Sequence, residues 1–109
     1  MFLDLTLRRN PKLIATAVRF HQSGTIPPNC YLIDLDSVTY NASIIKAKAD
    51  HYKISLYFIT KQIGFNPLVS KSIVHAGIQK AVAVDIREAF ALARNQIRIG
   101  HVGHLVQIP

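Results

Sequence analysis

Three short apolar runs dominate the second half of the chain: ISLYFIT at 54–60, KAVAVD at 80–85 and VGHLVQI at 102–108. The first two are nearly continuous in apolar residues, as expected of strands covered on both faces. Helical patterns separate the runs. Asn66-Pro67 pairs a capping residue with a proline suited to the first helical position. The helix it opens carries Leu68, Val69, Ile73 and Val74, and Gly77 ends it. Asp85 and Glu88 form a capping pair three positions apart. They open a second helix whose apolar face is Ala89, Phe90, Leu92, Ala93 and Ile97. The order strand, helix, strand, helix, strand predicts right-handed βαβ units and therefore a parallel sheet.

Upstream, Asn10-Pro11 repeats the cap-then-proline signal. Leu13, Ile14, Ala17 and Val18 share one face of a helix running to about Phe20. QSGTIPPN at 22–29 is a turn or linker. CYLIDLD at 30–36 alternates as a strand does. A helix is expected from about Ser37 to Tyr52, with Val38, Ile44, Ile45, Ala49 and Tyr52 on its apolar side. The chain thus divides into an N-terminal helix and linker, 1–29, and an α/β portion, 30–109.

Half of the 109 residues are hydrophobic, which argues against intrinsic disorder. No stretch approaches the roughly 20 apolar residues of a membrane helix. MFLDLTLRRNPK places its acid before its arginines, the wrong order for a secretory signal. The single cysteine, Cys30, forms no internal disulfide and lacks a neighbouring His or Asp that would mark a nucleophile. A cytoplasmic, non-membrane protein is expected. The net charge of +7 raises the question of a nucleic-acid partner. The basic residues are scattered, with Arg8-Arg9 the only doublet, and no basic run is interleaved with aromatics. No specific nucleic-acid partner is expected. Neither G-x-G-x-x-G nor G-x-x-x-x-G-K follows any strand.

Parallel α/β folds place their chemistry at the carboxyl ends of strands, and Lys61 directly follows ISLYFIT. On position alone, such a lysine reads first as a solvated surface residue. A partly desolvated amine is instead a nucleophile for carbonyls, able to form a Schiff base with a substrate or with pyridoxal phosphate. Thr60 and Gln62 flank Lys61 and would face the opposite side of a continuing strand. Gly64 supplies a turn. His101 and His104 share an H-x-x-H spacing. On a strand they face opposite sides, and no acid or cysteine lies nearby in sequence, so no metal site is expected. His104 is either a core or strand-end histidine or a residue facing a cofactor pocket. Gln107 is either a pocket residue or a strand terminus. Tyr31, Tyr40, Tyr52 and Tyr57 read as packing residues.

Taken together, IDLDSVTYNASIIKAKA, LYFITKQIGFNP and AVAVDIREAFALAR resemble the start of the alanine-racemase-type family, the fold-type III pyridoxal phosphate barrels. The points of likeness are Ile33-Asp34-Leu35, Asn41, a strand ending in Lys61, and Glu88-Ala89 at a helix start. TKQIG-NP and GHLVQIP are similar to an uncharacterised amino-acid racemase-like branch. The resemblance implies the N-terminal portion of a parallel (β/α)8 barrel, with about three barrel strands present, preceded by a helix and a strand. It implies pyridoxal 5'-phosphate held as a Schiff base on Lys61, an amino-acid substrate, and His104 as a further candidate cofactor contact.

Two features depart from that pattern. In alanine racemases proper, the residue four positions after the lysine is a tyrosine whose hydroxyl serves the cofactor phosphate. Here it is Phe65. A complete barrel also needs about 250 residues. The opposing base, the later phosphate-binding loops and an arginine for the pyridine nitrogen would lie beyond Pro109. The chain alone is therefore expected to be inactive, and either marginally stable or self-associated through its open sheet edge. Two other readings stay open: a small basic α/β binding module, and a truncated product without function.

Overall fold

The computed structural model describes residues 2–103. The elements run α1 (Phe2–Arg9), α2 (Pro11–Gln22), α3 (Leu35–His51), β1 (Phe58–Ile59), α4 (Pro67–His75), β2 (Lys80–Ala83), α5 (Ile86–Arg94) and β3 (Arg98–Val102). They fall into two compact units, divided between Asp34 and Leu35.

In the first unit, α2 starts where the capping signal places it. Asn10 Oδ1 accepts from the Leu13 amide at 3.0 Å, and its Nδ2 donates to Asp34 Oδ2 at 2.5 Å. α1 was not anticipated. Asp4 in its first turn and Arg8 and Arg9 in its last match the helix dipole. The strand expected at 30–36 does not form. Residues 30–34 have no regular structure, and Leu35 already belongs to α3. Alternation alone does not make a strand; a ladder partner must satisfy its amides and carbonyls, and none pairs with this segment among the described residues.

The second unit is α/β. Its three strands are all parallel, in the order β1-β2-β3. Phe58 pairs with Ala81 and Ile59 with Val82. This register puts residues 54–56 opposite the turn before β2, which is why β1 is much shorter than the apolar run. β3 starts earlier than anticipated. α5 stops at Arg94, and Gln96 at φ +60° turns the chain back, so Arg98 already pairs with Lys80. The expected strand beyond Gly103 lies outside the described residues. A bulge in the β2–β3 ladder leaves Gly100 as the extra residue between Ile99 and His101.

The core joins Ala42 of α3, Phe58, Ala81 and Ala83 of the sheet, Ile78, Leu92 of α5 and Ile97. Only one sheet face is covered. Phe58 and Thr60 are 8% and 0% exposed, while their alternate neighbours Tyr57 and Ile59 are 45% and 49% exposed. The continuous apolar run predicted cover on both faces. In this unit helices pack one face only, and the second apolar row of β1 meets solvent. Of the four tyrosines expected to pack, Tyr31, Tyr40 and Tyr52 are exposed, while the half-exposed Tyr57 ring lies beside Lys80 and Gly100. No described helix is long and apolar enough to cross a membrane.

Candidate functional site

The carboxyl ends of β1 and β2 and the first turns of α4 and α5 bring the chemistry-bearing residues together. β1 ends at Ile59. Thr60 is fully buried, and Lys61 follows in an exposed turn closed by the Ile63 amide donating to the Thr60 carbonyl at 3.0 Å. Gly64 takes φ +63°, a value for which glycine carries no steric cost. Phe65 is 43% exposed.

Asn66 then caps α4. Its Oδ1 accepts from the amides of Leu68 at 3.0 Å and Val69 at 3.2 Å, and its backbone carbonyl accepts from the Ser70 amide. Pro67 has no amide hydrogen. The amides that a helix start could offer a phosphate are therefore engaged by the chain itself at α4. Phe65 likewise has no hydroxyl to donate, so neither the tyrosine of the alanine racemases nor the first-turn amides of α4 are present as phosphate donors.

The capping pair at α5 is half of the anticipated box. Asp85 Oδ1 accepts from the Glu88 amide at 2.8 Å. The return bond does not go to the Asp85 amide. Glu88 Oε2 accepts from the Val84 amide at 2.6 Å, and Glu88 Oε1 accepts from the Thr60 hydroxyl. Glu88 is 2% exposed, so its carboxyl group is a buried tie between β1 and the β2–α5 junction.

The sequence pattern puts Lys61 just past a strand end, with Thr60 as a flanking residue and Glu88 as a cap, and does not show this tie. The missed signal was the two-residue period: Thr60 shares the face of Phe58, which is the helix-covered side. His101 is exposed on β3; His104 and Gln107 lie outside the described residues. Cys30 is an exposed free thiol. Among the described residues, no group of three or more His, Cys, Asp or Glu converges as metal ligands would.

What Lys61 offers chemically is an accessible primary amine at the carboxyl edge of a parallel sheet, in a turn between buried Thr60 and the Asn66 cap. An amine so placed can condense with an aldehyde or hold a proton beside a bound substrate.

No family model matches the chain. Over 109 residues it is 39% identical to the uncharacterized protein YhfX of Escherichia coli (strain K12), a match covering 100% of this chain. The chain spans 28% of the length of that relative.

Proposed function

We propose that the chain is the N-terminal part of a barrel protein that holds pyridoxal 5'-phosphate on Lys61 and acts on an amino acid. The reaction would be racemisation or a related change at the α-carbon. The observation that carries this reading is the placement of Lys61, exposed in a tight turn at the carboxyl end of a parallel strand. The match to YhfX is compatible with it, since a portion of a longer chain would cover only part of a relative. The three parallel strands are compatible with part of a barrel.

The residues present fit covalent attachment of an aldehyde cofactor, through Lys61. When bound, pyridoxal 5'-phosphate supplies an electron sink for charge developing at the α-carbon. Lys61 would hold or move a proton on one face of that carbon. Reaction on both faces needs a second acid or base, which no described residue is placed to supply. On this reading the 109-residue chain alone lacks racemase activity.

The test is reductive trapping in the longest natural form of the protein. Borohydride treatment after incubation with pyridoxal 5'-phosphate should leave a pyridoxyl group on Lys61. Lys61→Ala should abolish it. Undiminished labelling in that variant would sink the proposal.

A further inference from the structure

Buried carboxyl groups are uncommon in protein cores, because removing one from water is costly unless its oxygens receive hydrogen bonds. Glu88 is such a group. It lies on the first turn of α5, and both of its oxygens are used by other segments. Oε2 takes the Val84 amide, just past the end of β2, and Oε1 takes the Thr60 hydroxyl, just past the end of β1. Helix capping requires neither bond. The Asp85 side chain already satisfies the Glu88 amide.

We propose that Glu88 is a positioning residue for the Lys61 turn. Its buried carboxyl group clamps Thr60, the residue immediately before Lys61, to the end of the neighbouring strand, and so fixes where the lysine leaves the sheet. This rests on the reading of Lys61 as the attachment point, but its physical content can be tested without that reading.

The geometry restricts the alternatives. Thr60 is the last buried residue before an exposed turn, so the backbone of Lys61 inherits its position from Thr60 on one side. The Ile63 amide closes the turn back onto the Thr60 carbonyl, so the same residue anchors the turn twice. Releasing the hydroxyl would loosen the turn while leaving α4 and its Asn66 cap in place. A glutamine at position 88 can replace the carboxyl group, since its carbonyl can accept from Val84 and its amide can donate to the Thr60 oxygen. An alanine can do neither.

The experiment is amide hydrogen exchange, resolved by residue, on the longest natural form of the protein and on its Glu88→Ala, Glu88→Gln and Thr60→Val variants. Glu88→Ala and Thr60→Val should speed exchange at the Ile63 amide by about tenfold or more, with the Val69 amide of α4 and the Ala76 amide that caps its end little changed. Glu88→Gln should stay close to the unsubstituted chain. The near-isosteric Thr60→Val removes the hydroxyl without emptying the site, and decides the question if Glu88→Ala does not fold. Unchanged exchange at Ile63 in Thr60→Val, or acceleration equal to that of α4, would overturn the proposal.

A second reading of the same samples separates it from the functional proposal. Borohydride trapping of pyridoxal 5'-phosphate, followed by peptide mapping, gives the share of label on Lys61 against the other lysines. A preference for Lys61 that falls in Thr60→Val and persists in Glu88→Gln supports positioning toward the cofactor. No preference in the unsubstituted chain counts against the attachment reading on this chain and leaves the exchange result to judge Glu88.

Discussion

Of the described glycines, Gly100 leaves least room for a side chain. A Cβ built there would overlap Tyr57 Cε1 and stand 2.6 Å from Tyr57 Cδ1 and 2.8 Å from Lys80 Cβ. Tyr57 precedes β1, Lys80 opens β2 and Gly100 is the bulged residue of β3, so one aromatic ring reaches across the whole sheet. Two obstacles of different stiffness result. Tyr57 is 45% exposed, and its ring can swing into solvent at the cost of its contacts. Lys80 Cβ is bonded to the backbone of a paired strand and moves only if the ladder moves. Gly100→Ala should therefore cost about 2 kcal/mol, within the range for overpacking a fitted site. With a urea dependence of about 1–2 kcal/mol per molar for a small domain, the unfolding midpoint should fall by about 1–2 M. Tyr57→Ala in the same background should recover part of the loss, leaving the portion due to Lys80. The assay is urea unfolding followed by circular dichroism on the two single variants and the double variant. A midpoint for Gly100→Ala within about 0.3 M of the unsubstituted chain would refute the packing argument. Full recovery in the double variant would show that Lys80 Cβ presents no obstacle.

Two further substitutions probe the frame around the site. Asn66→Ala removes the acceptor for the Leu68 and Val69 amides. It should destabilise α4 by about 1 kcal/mol, seen as faster hydrogen exchange in that helix's first turn. Asp50→Ala breaks the Lys46–Asp50 pair, 2.5 Å apart with the Asp50 side chain 59% exposed. It should shift stability by no more than about 0.5 kcal/mol, because an exposed pair gains little over water; a larger loss in thermal or urea unfolding would mean the pair does more than bridge one helical turn.

The parts of the fold legible in the sequence were those dictated by local chemistry. Asn10-Pro11, Asn66-Pro67 and Asp85 each open the helix they announce, because the side-chain oxygen and its target amide are near neighbours in sequence. The parallel order of the strands followed from the alternation of elements. What local pattern could not supply was pairing. CYLIDLD alternates like a strand yet has no ladder partner, and ISLYFIT is shortened because its register sets residues 54–56 against a turn. The Glu88 tie was hidden for a related reason: its acceptor role toward Thr60 spans 28 positions, and the local capping pattern already offered Glu88 a sufficient role. Lys61 was legible because its place depends only on where an apolar run stops.

The buried polar side chains sharpen the meaning of that place. Thr60, Ser70 and Glu88 are the buried polar or charged residues among those described. Thr60 and Glu88 bond to each other, and the Ser70 hydroxyl donates to the Asn66 carbonyl at 3.1 Å. All three therefore hold the same stretch of chain, the first two at its start and Ser70 at its end. A core filled by aliphatic side chains would avoid the desolvation that each of these groups incurs. Departures from simple apolar packing concentrate at functional or strained positions, and here they bracket residues 60–66 and tie the start of that stretch to the β2–α5 junction through Val84. Between the two anchors lie an exposed lysine and a glycine in a left-handed turn. Lys61 thus lies exposed between two bonded residues, Thr60 and Asn66. That combination suits an amine that must meet an aldehyde at a set position, and it makes the exchange rate at Ile63 in Thr60→Val the most direct measure of how firmly the turn is held.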